Sequence, residues 1–134
     1  MMRWMCKSKI HRATVTEACL SYEGSITVDV TLLEAADIRP YEMVQIININ
    51  NGERFETYAI PGKKDSGEIC LNGGAARKGV VGDKVIIMST GVVAEAEIDG
   101  FTPKIVFVNE QNKIAQKTAQ ETAGRRFPQG PETV

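Results

Sequence analysis

Gly24-Ser25 carries the most specific chemistry in this chain, because a Gly-Ser bond can cut itself. The Ser25 hydroxyl attacks the Gly24 carbonyl carbon; a C–O bond forms as the C–N bond breaks, and the amide becomes an ester. β-Elimination then expels the Gly24 carboxylate and leaves dehydroalanine at residue 25. Water adds, ammonia leaves, and the new N-terminus is a pyruvoyl group. Glycine at 24 presents no Cβ to the incoming hydroxyl and tolerates a strained backbone. A pyruvoyl ketone forms a Schiff base with an amine and acts as an electron sink, the work that pyridoxal phosphate does elsewhere. Alone, however, the dipeptide is an ordinary turn sequence. Its neighbours decide the matter.

Upstream stands Lys9-Ile10-His11-Arg12 and directly before the dipeptide Tyr22-Glu23; downstream comes Arg54-Phe55-Glu56-Thr57-Tyr58. The guanidinium of Arg54 has the planar fork that captures a carboxylate through two parallel hydrogen bonds. In a strand, residues 54, 56 and 58 point to one face, so Arg54 and Tyr58 share a surface while Thr57 faces away unless a twist or bulge re-aims it. A phenol such as Tyr58 is a general acid for a carbanion. His11 is the only histidine and the only side chain that titrates near neutrality without help. Asn72 and the backbone amides of Gly73, Gly74 and Ala75 form a glycine-rich turn suited to an anion or amide partner.

Two strings taken together, Lys-x-His-Arg followed by Tyr-Glu-Gly-Ser, and Asn51-Gly52-x-Arg54-Phe55-x-Thr57-Tyr58-Ala59-Ile60, resemble the pyruvoyl-dependent aspartate decarboxylases from Met1 to about Phe107. The resemblance implies decarboxylation of L-aspartate to β-alanine and carbon dioxide, feeding pantothenate and coenzyme A synthesis. It implies self-cleavage between Gly24 and Ser25, with Ser25 becoming the pyruvoyl cofactor and Tyr58 the proton donor. Arg54 then holds the retained carboxylate, and Lys9 is a second cation for the substrate or for the chain end released at Gly24. Thr57 binds the Gly24 carbonyl oxygen, Tyr22 lines the pocket, and His11 belongs to its neighbourhood. Asn72, Gly73, Gly74 and Ala75 complete the substrate-binding set. One departure is visible: this chain reads Asn-Gly-Gly-Ala where the family pattern is Asn-Gly-Ala-Ala. The implied fold is mainly β, a small six-stranded double-psi β-barrel with a few short helices, assembled as a homotetramer of cleaved chains. Whether cleavage is spontaneous or needs a maturation factor stays open.

The elements that must position these residues read as follows. Met1 to about Val15 is extended, and Ser25–Val30 alternates as a half-buried strand. Thr31–Ile38 is a short helix with Thr31 as N-cap, Glu34 at the capping-box spacing, and Pro40 as its stop. Residues 42–49 and 53–60 form a hairpin around Asn51-Gly52, whose positive φ angles suit a type I′ turn. Pro61–Gly67 is a loop, Glu68–Leu71 a strand, and Asn72–Lys78 a turn opening one helical turn. Lys84–Met88 and Ile105–Val108 are further strands. Residues 1–112 make one domain, and 113–134 a weakly ordered tail, helical at its start.

At 134 residues with 43% hydrophobic and 25% charged content, the chain is a single globular domain. A net charge of -1 gives no bulk attraction to nucleic acid or anionic membrane. No apolar run reaches membrane-span length and no signal-peptide h-region opens the chain. Cys6, Cys19 and Cys70, odd in number and far apart, read as free thiols in a reducing cytoplasm, and with one histidine no metal centre is expected. Three other readings stand beside the main one. The same chemistry can act on glutamate or a sulfinate analogue, since Arg54 does not measure chain length. The barrel can be a non-catalytic binding module, or Ser25 and His11 a serine hydrolase pair, although no Gly-x-Ser-x-Gly elbow is present.

Overall fold

The structure of this chain is a computed structural model that describes residues 1–127; the end of the expected tail, 128–134, lies outside the described residues. Among the described residues nine strands make one sheet: β1 (Met2–Thr14), β2 (Glu17–Cys19), β3 (Ser25–Asp29), β4 (Met43–Asn48), β5 (Arg54–Gly62), β6 (Ile69–Asn72), β7 (Lys84–Ala94), β8 (Lys104–Val108) and β9 (Ile114–Thr118). Their order is β2-β6-β3-β5-β4-β7-β1-β8-β9. β1 runs parallel to β8, β3 to β5, and β2 to β6; the remaining neighbours are antiparallel. The chain is thus mainly β, in keeping with the double-psi barrel. Its strand count exceeds the expected six partly because β2 and β9 extend the two ends of the order.

Alternation builds the core. Ile26 and Val28 on β3, Val44 and Ile46 on β4, and Val85 and Ile87 on β7 are all essentially inaccessible. Ile10, Ile87, Ile46 and Phe55 stand in one cross-strand row, and each fully buried isoleucine contributes about 2 kcal/mol relative to an exposed one. The opposite face of β5, β4, β7 and β1 is left for other uses.

Several local expectations are corrected. The helix α1 (Val30–Ala35) is capped by Asp29, not Thr31. The buried Asp29 carboxylate accepts from the amides of Thr31, Asp65 and Gly67, joining the helix start to the 63–67 loop. Thr31 instead donates its hydroxyl to Asp65. The helix ends at Ala35, five residues before Pro40, because Asp37 adopts φ 56 and the Ile38 amide reaches back to the Leu33 carbonyl, as in a Schellman stop. In the β4–β5 connection only Gly52 has positive φ, so the turn is not type I′. Asn48 Oδ1 accepts from the amides of Asn50 and Asn51 and holds a longer loop. After Lys113 the chain forms β9 against β8 rather than a helix. Pairing with an edge strand decides this segment, and the local sequence does not.

Candidate active site

Ser25 opens β3 opposite Asn72 of β6 and is 1% exposed. Asn72 Nδ2 donates to Ser25 Oγ at 2.9 Å and to Thr27 Oγ1 at 2.8 Å, while the Cys70 thiol donates to Asn72 Oδ1 at 3.0 Å. With its side chain so engaged, Asn72 precedes the 3₁₀ helix Gly73–Arg77 without capping it. Sequence reasoning missed Thr27 and Cys70. The signal was the alternation itself, since Cys70 and Asn72, like Thr27 and Ser25, are two apart on one strand face.

Gly73 shows why this turn needs glycine. Its φ is +63, and a Cβ there would stand 2.7 Å from both the Gly24 nitrogen and the Tyr22 carbonyl oxygen. The turn therefore presses directly against the backbone of Tyr22 and Gly24, just ahead of the Gly24-Ser25 bond. Gly24 itself lies outside the left-handed region and a Cβ there would meet nothing within 4 Å, so neither positive φ nor crowding requires glycine at that position. Gly74 is likewise open, exposed and free of positive φ. Gly74→Ala is accordingly expected to stabilise the fold by about 0.5 kcal/mol, through reduced freedom of the unfolded chain. Gly73→Ala should destabilise by about 2 kcal/mol or more, a fall of roughly 8 °C in thermal midpoint. Melting both variants in an uncleaved background checks this, and equal midpoints would contradict it.

Ile26 pairs with Ala59 in the parallel β3/β5 ladder, so Ser25 and Tyr58, each one residue earlier, are adjacent in register on the outer face. Tyr58 is half-buried and stacks on Tyr41, ring centroids 5.7 Å apart and 18° from parallel. Thr57 pairs with the buried Val44 and so lies on the barrel side, offset toward Gly24. Arg54 and Tyr58 do share a face, where Arg54 is exposed and touches Gln45. Arg54 nevertheless sits four residues before Tyr58, about 13 Å along β5. Lys9 pairs with Met88 on β7, and Gln45 of β4 pairs with Met88 from the other side. β1 is thus three strands from β5, about 14 Å away. One chain gathers Ser25, Asn72, Gly73, Gly24 and Tyr58, but sets Arg54 and Lys9 apart from them. Tyr22 is exposed, its carbonyl against Gly73; Ala75 is buried.

Lys9 and His11 are covered by the chain's own C-terminal segment. Lys9 Nζ meets Glu121 Oε2 at 2.7 Å, and the His11 ring contacts Phe107 and Phe127 at 5.3 and 4.9 Å. Arg125 lies over both phenyl rings. His11 is therefore no partner for Ser25, and the hydrolase pairing is not formed. Burial first, then the positive charges of Lys9, Arg12 and Arg125, lower its pKa from 6.5 to about 4, against the opposing pull of Glu121. The unfolded chain thus takes up this proton before the folded one does. The stability His11 contributes is complete above about pH 6.5 and is lost as pH falls through about 4. An NMR titration of the imidazole should show a midpoint near 4; a midpoint at or above 6.5 would refute this.

A sequence model described as aspartate decarboxylase matches residues 1–115. The chain is 52% identical over 130 residues to a protein named aspartate 1-decarboxylase from Heliobacterium modesticaldum, covering 97% of this chain and 98% of that protein. It is 60% identical over 114 residues to one of the same name from Syntrophus aciditrophicus, covering 85% and 98% respectively. A third such protein, from Thermoanaerobacter pseudethanolicus, is 57% identical over 113 residues, covering 84% and 97%.

Proposed function

We propose that this chain, which belongs to the aspartate decarboxylase family, is the precursor of an enzyme that decarboxylates L-aspartate to β-alanine and carbon dioxide, matured by cleavage at Gly24-Ser25. The observation that carries the reading is the buried Ser25 hydroxyl, held by Asn72 while Gly73 clasps the Gly24 backbone. In the self-cleavage Ser25 Oγ is the nucleophile, and Thr57, offset toward Gly24, stabilises the oxyanion. The residues fit a pyruvoyl group: when the Ser25 Oγ leaves with Gly24, the Asn72 Nδ2 that donated to it would remain a buried donor facing residue 25, in a site nearly closed to water. Once formed, that group supplies the ketone that draws electrons from the bond to the departing carboxylate.

The other roles belong to this chain's side chains. Arg54 holds the retained carboxylate in its two-pronged fork, and Lys9 offers a second cation. Tyr58, adjacent to residue 25, keeps a proton on Oη for the carbon that loses carbon dioxide. Tyr22, Gly74 and Ala75 border the pocket, and His11, neutral at pH 7, shapes its surroundings. Arg54 and Lys9 lie too far from Ser25 for one aspartate to touch all three, which supports a homotetramer in which a second copy completes the site. Exposed Trp4, Tyr41 and Met43 give such an assembly apolar surface to bury. Three free cysteines support a reducing cytoplasm, where β-alanine would feed pantothenate and coenzyme A synthesis. Among the described residues no helix is long and apolar enough to cross a membrane.

The denatured mass of the purified chain tests this, alongside β-alanine release from L-aspartate, glutamate and a sulfinate analogue. Fragments 1–24 and a blocked 25–134, with aspartate preferred, are the expected result. A single intact chain without β-alanine release would overturn the reading.

A further inference from the structure

The oxygen on residue 25 is oriented from two residues away. Cys70 is 2% exposed, faces Thr27 in register, and sends its side chain from the same side of β6 as Asn72. The side-chain amide of Asn72 can turn over, exchanging Oδ1 and Nδ2, with almost no change in shape. The hydroxyls of Ser25 and Thr27 do not oppose such a turn, since each donates or accepts equally well. The thiol does. Burial first, then the neighbouring carboxylates of Glu17 and Glu68, push its pKa up to about 11, so it keeps its proton. A protonated thiol is a donor and only a weak acceptor, so it favours Oδ1 over the NH2 group. Glu17, opposite Cys70 in register, is the competing acceptor, and the 3.0 Å contact runs to Asn72.

We propose that Cys70 is a positioning residue for maturation: its S–H fixes the Asn72 amide with Nδ2 aimed at residue 25. The Ser25 Oγ is thereby anchored beside the Gly24 carbonyl while its own proton stays free to leave. This rests on the reading that the chain matures at Gly24-Ser25. It gives a role to a thiol that sequence reasoning treated only as a sign of the redox compartment.

The test follows formation of the blocked 25–134 fragment over time, by denatured mass, in freshly purified precursor. Cys70→Val removes the donor at the cost of one added methyl group, and should slow formation about tenfold. Cys70→Ser keeps a donor at the same place; because its hydroxyl also accepts, it biases the amide less than the thiol does and should recover only in part, to about threefold below wild type. Because Cys70 acts through Asn72, the double variant Cys70→Val/Asn72→Ala should be no slower than Asn72→Ala alone. A purely packing role predicts the reverse, with no rescue by serine and slowing that adds. Either that pattern or a wild-type rate in Cys70→Val overturns the assignment. A wild-type chain that never cleaves would instead overturn the maturation reading itself.

Discussion

Ser25→Ala is expected to give a folded chain of 134 residues that stays in one piece and releases no detectable β-alanine. Alanine has no hydroxyl to attack the Gly24 carbonyl, so no ester forms and no cofactor arises. The fold should survive. Ser25 opens its strand, and its side chain contributes one hydrogen bond to Asn72, which keeps its second bond to Thr27. Losing a single neutral hydrogen bond costs about 1 kcal/mol, small beside the stability of a domain of this size. Denatured mass and a melting curve on the same sample decide the matter. Fragments 1–24 and 25–134 appearing in this variant would sink the mechanism, whereas an unfolded variant would show that Ser25 is structural first.

Tyr58→Phe should separate maturation from turnover. The substitution keeps the ring and its stacking on Tyr41, and removes only the transferable proton. Cleavage depends on the Ser25 hydroxyl, so processing should proceed normally. Turnover should fall by roughly 10²–10⁴-fold, the usual loss when a general acid is removed. The measurement is β-alanine release per cleaved chain, with the cleaved fraction taken from the denatured mass. A wild-type rate would pass the proton to another donor. Tyr22 would then be the first to examine, because His11 is neutral at pH 7 and enclosed by Phe107 and Phe127.

Much of this protein is legible in its order of residues, for a local reason. Strand periodicity compels residues two apart onto one face, so the sequence alone paired Arg54 with Tyr58 and turned Thr57 away from both; register then placed all three accordingly. The glycine at 73 and the Gly24-Ser25 bond are likewise chemical facts of single positions. The type of element usually followed from pattern, while its ends did not. Asp29 took the helix cap from Thr31 because a buried carboxylate could serve the helix and a distant loop at once.

What only the tertiary structure decided are relations between residues far apart in the chain. No sequence pattern states that β3 runs parallel beside β5, yet that register is what sets Tyr58 next to Ser25. Nor does any pattern state that Cys70, 45 residues beyond Ser25, donates to the same Asn72 that donates to the Ser25 hydroxyl. The same is true of the C-terminal segment, whose Glu121 and Phe127 cover Lys9 and His11 from more than a hundred residues away. Propensity and alternation act over a few residues, whereas strand partners are chosen by which faces the whole chain can bury together. Sequence by itself thus determined the chemistry this protein can perform, and the packing of the sheet decided which side chains stand close enough to perform it.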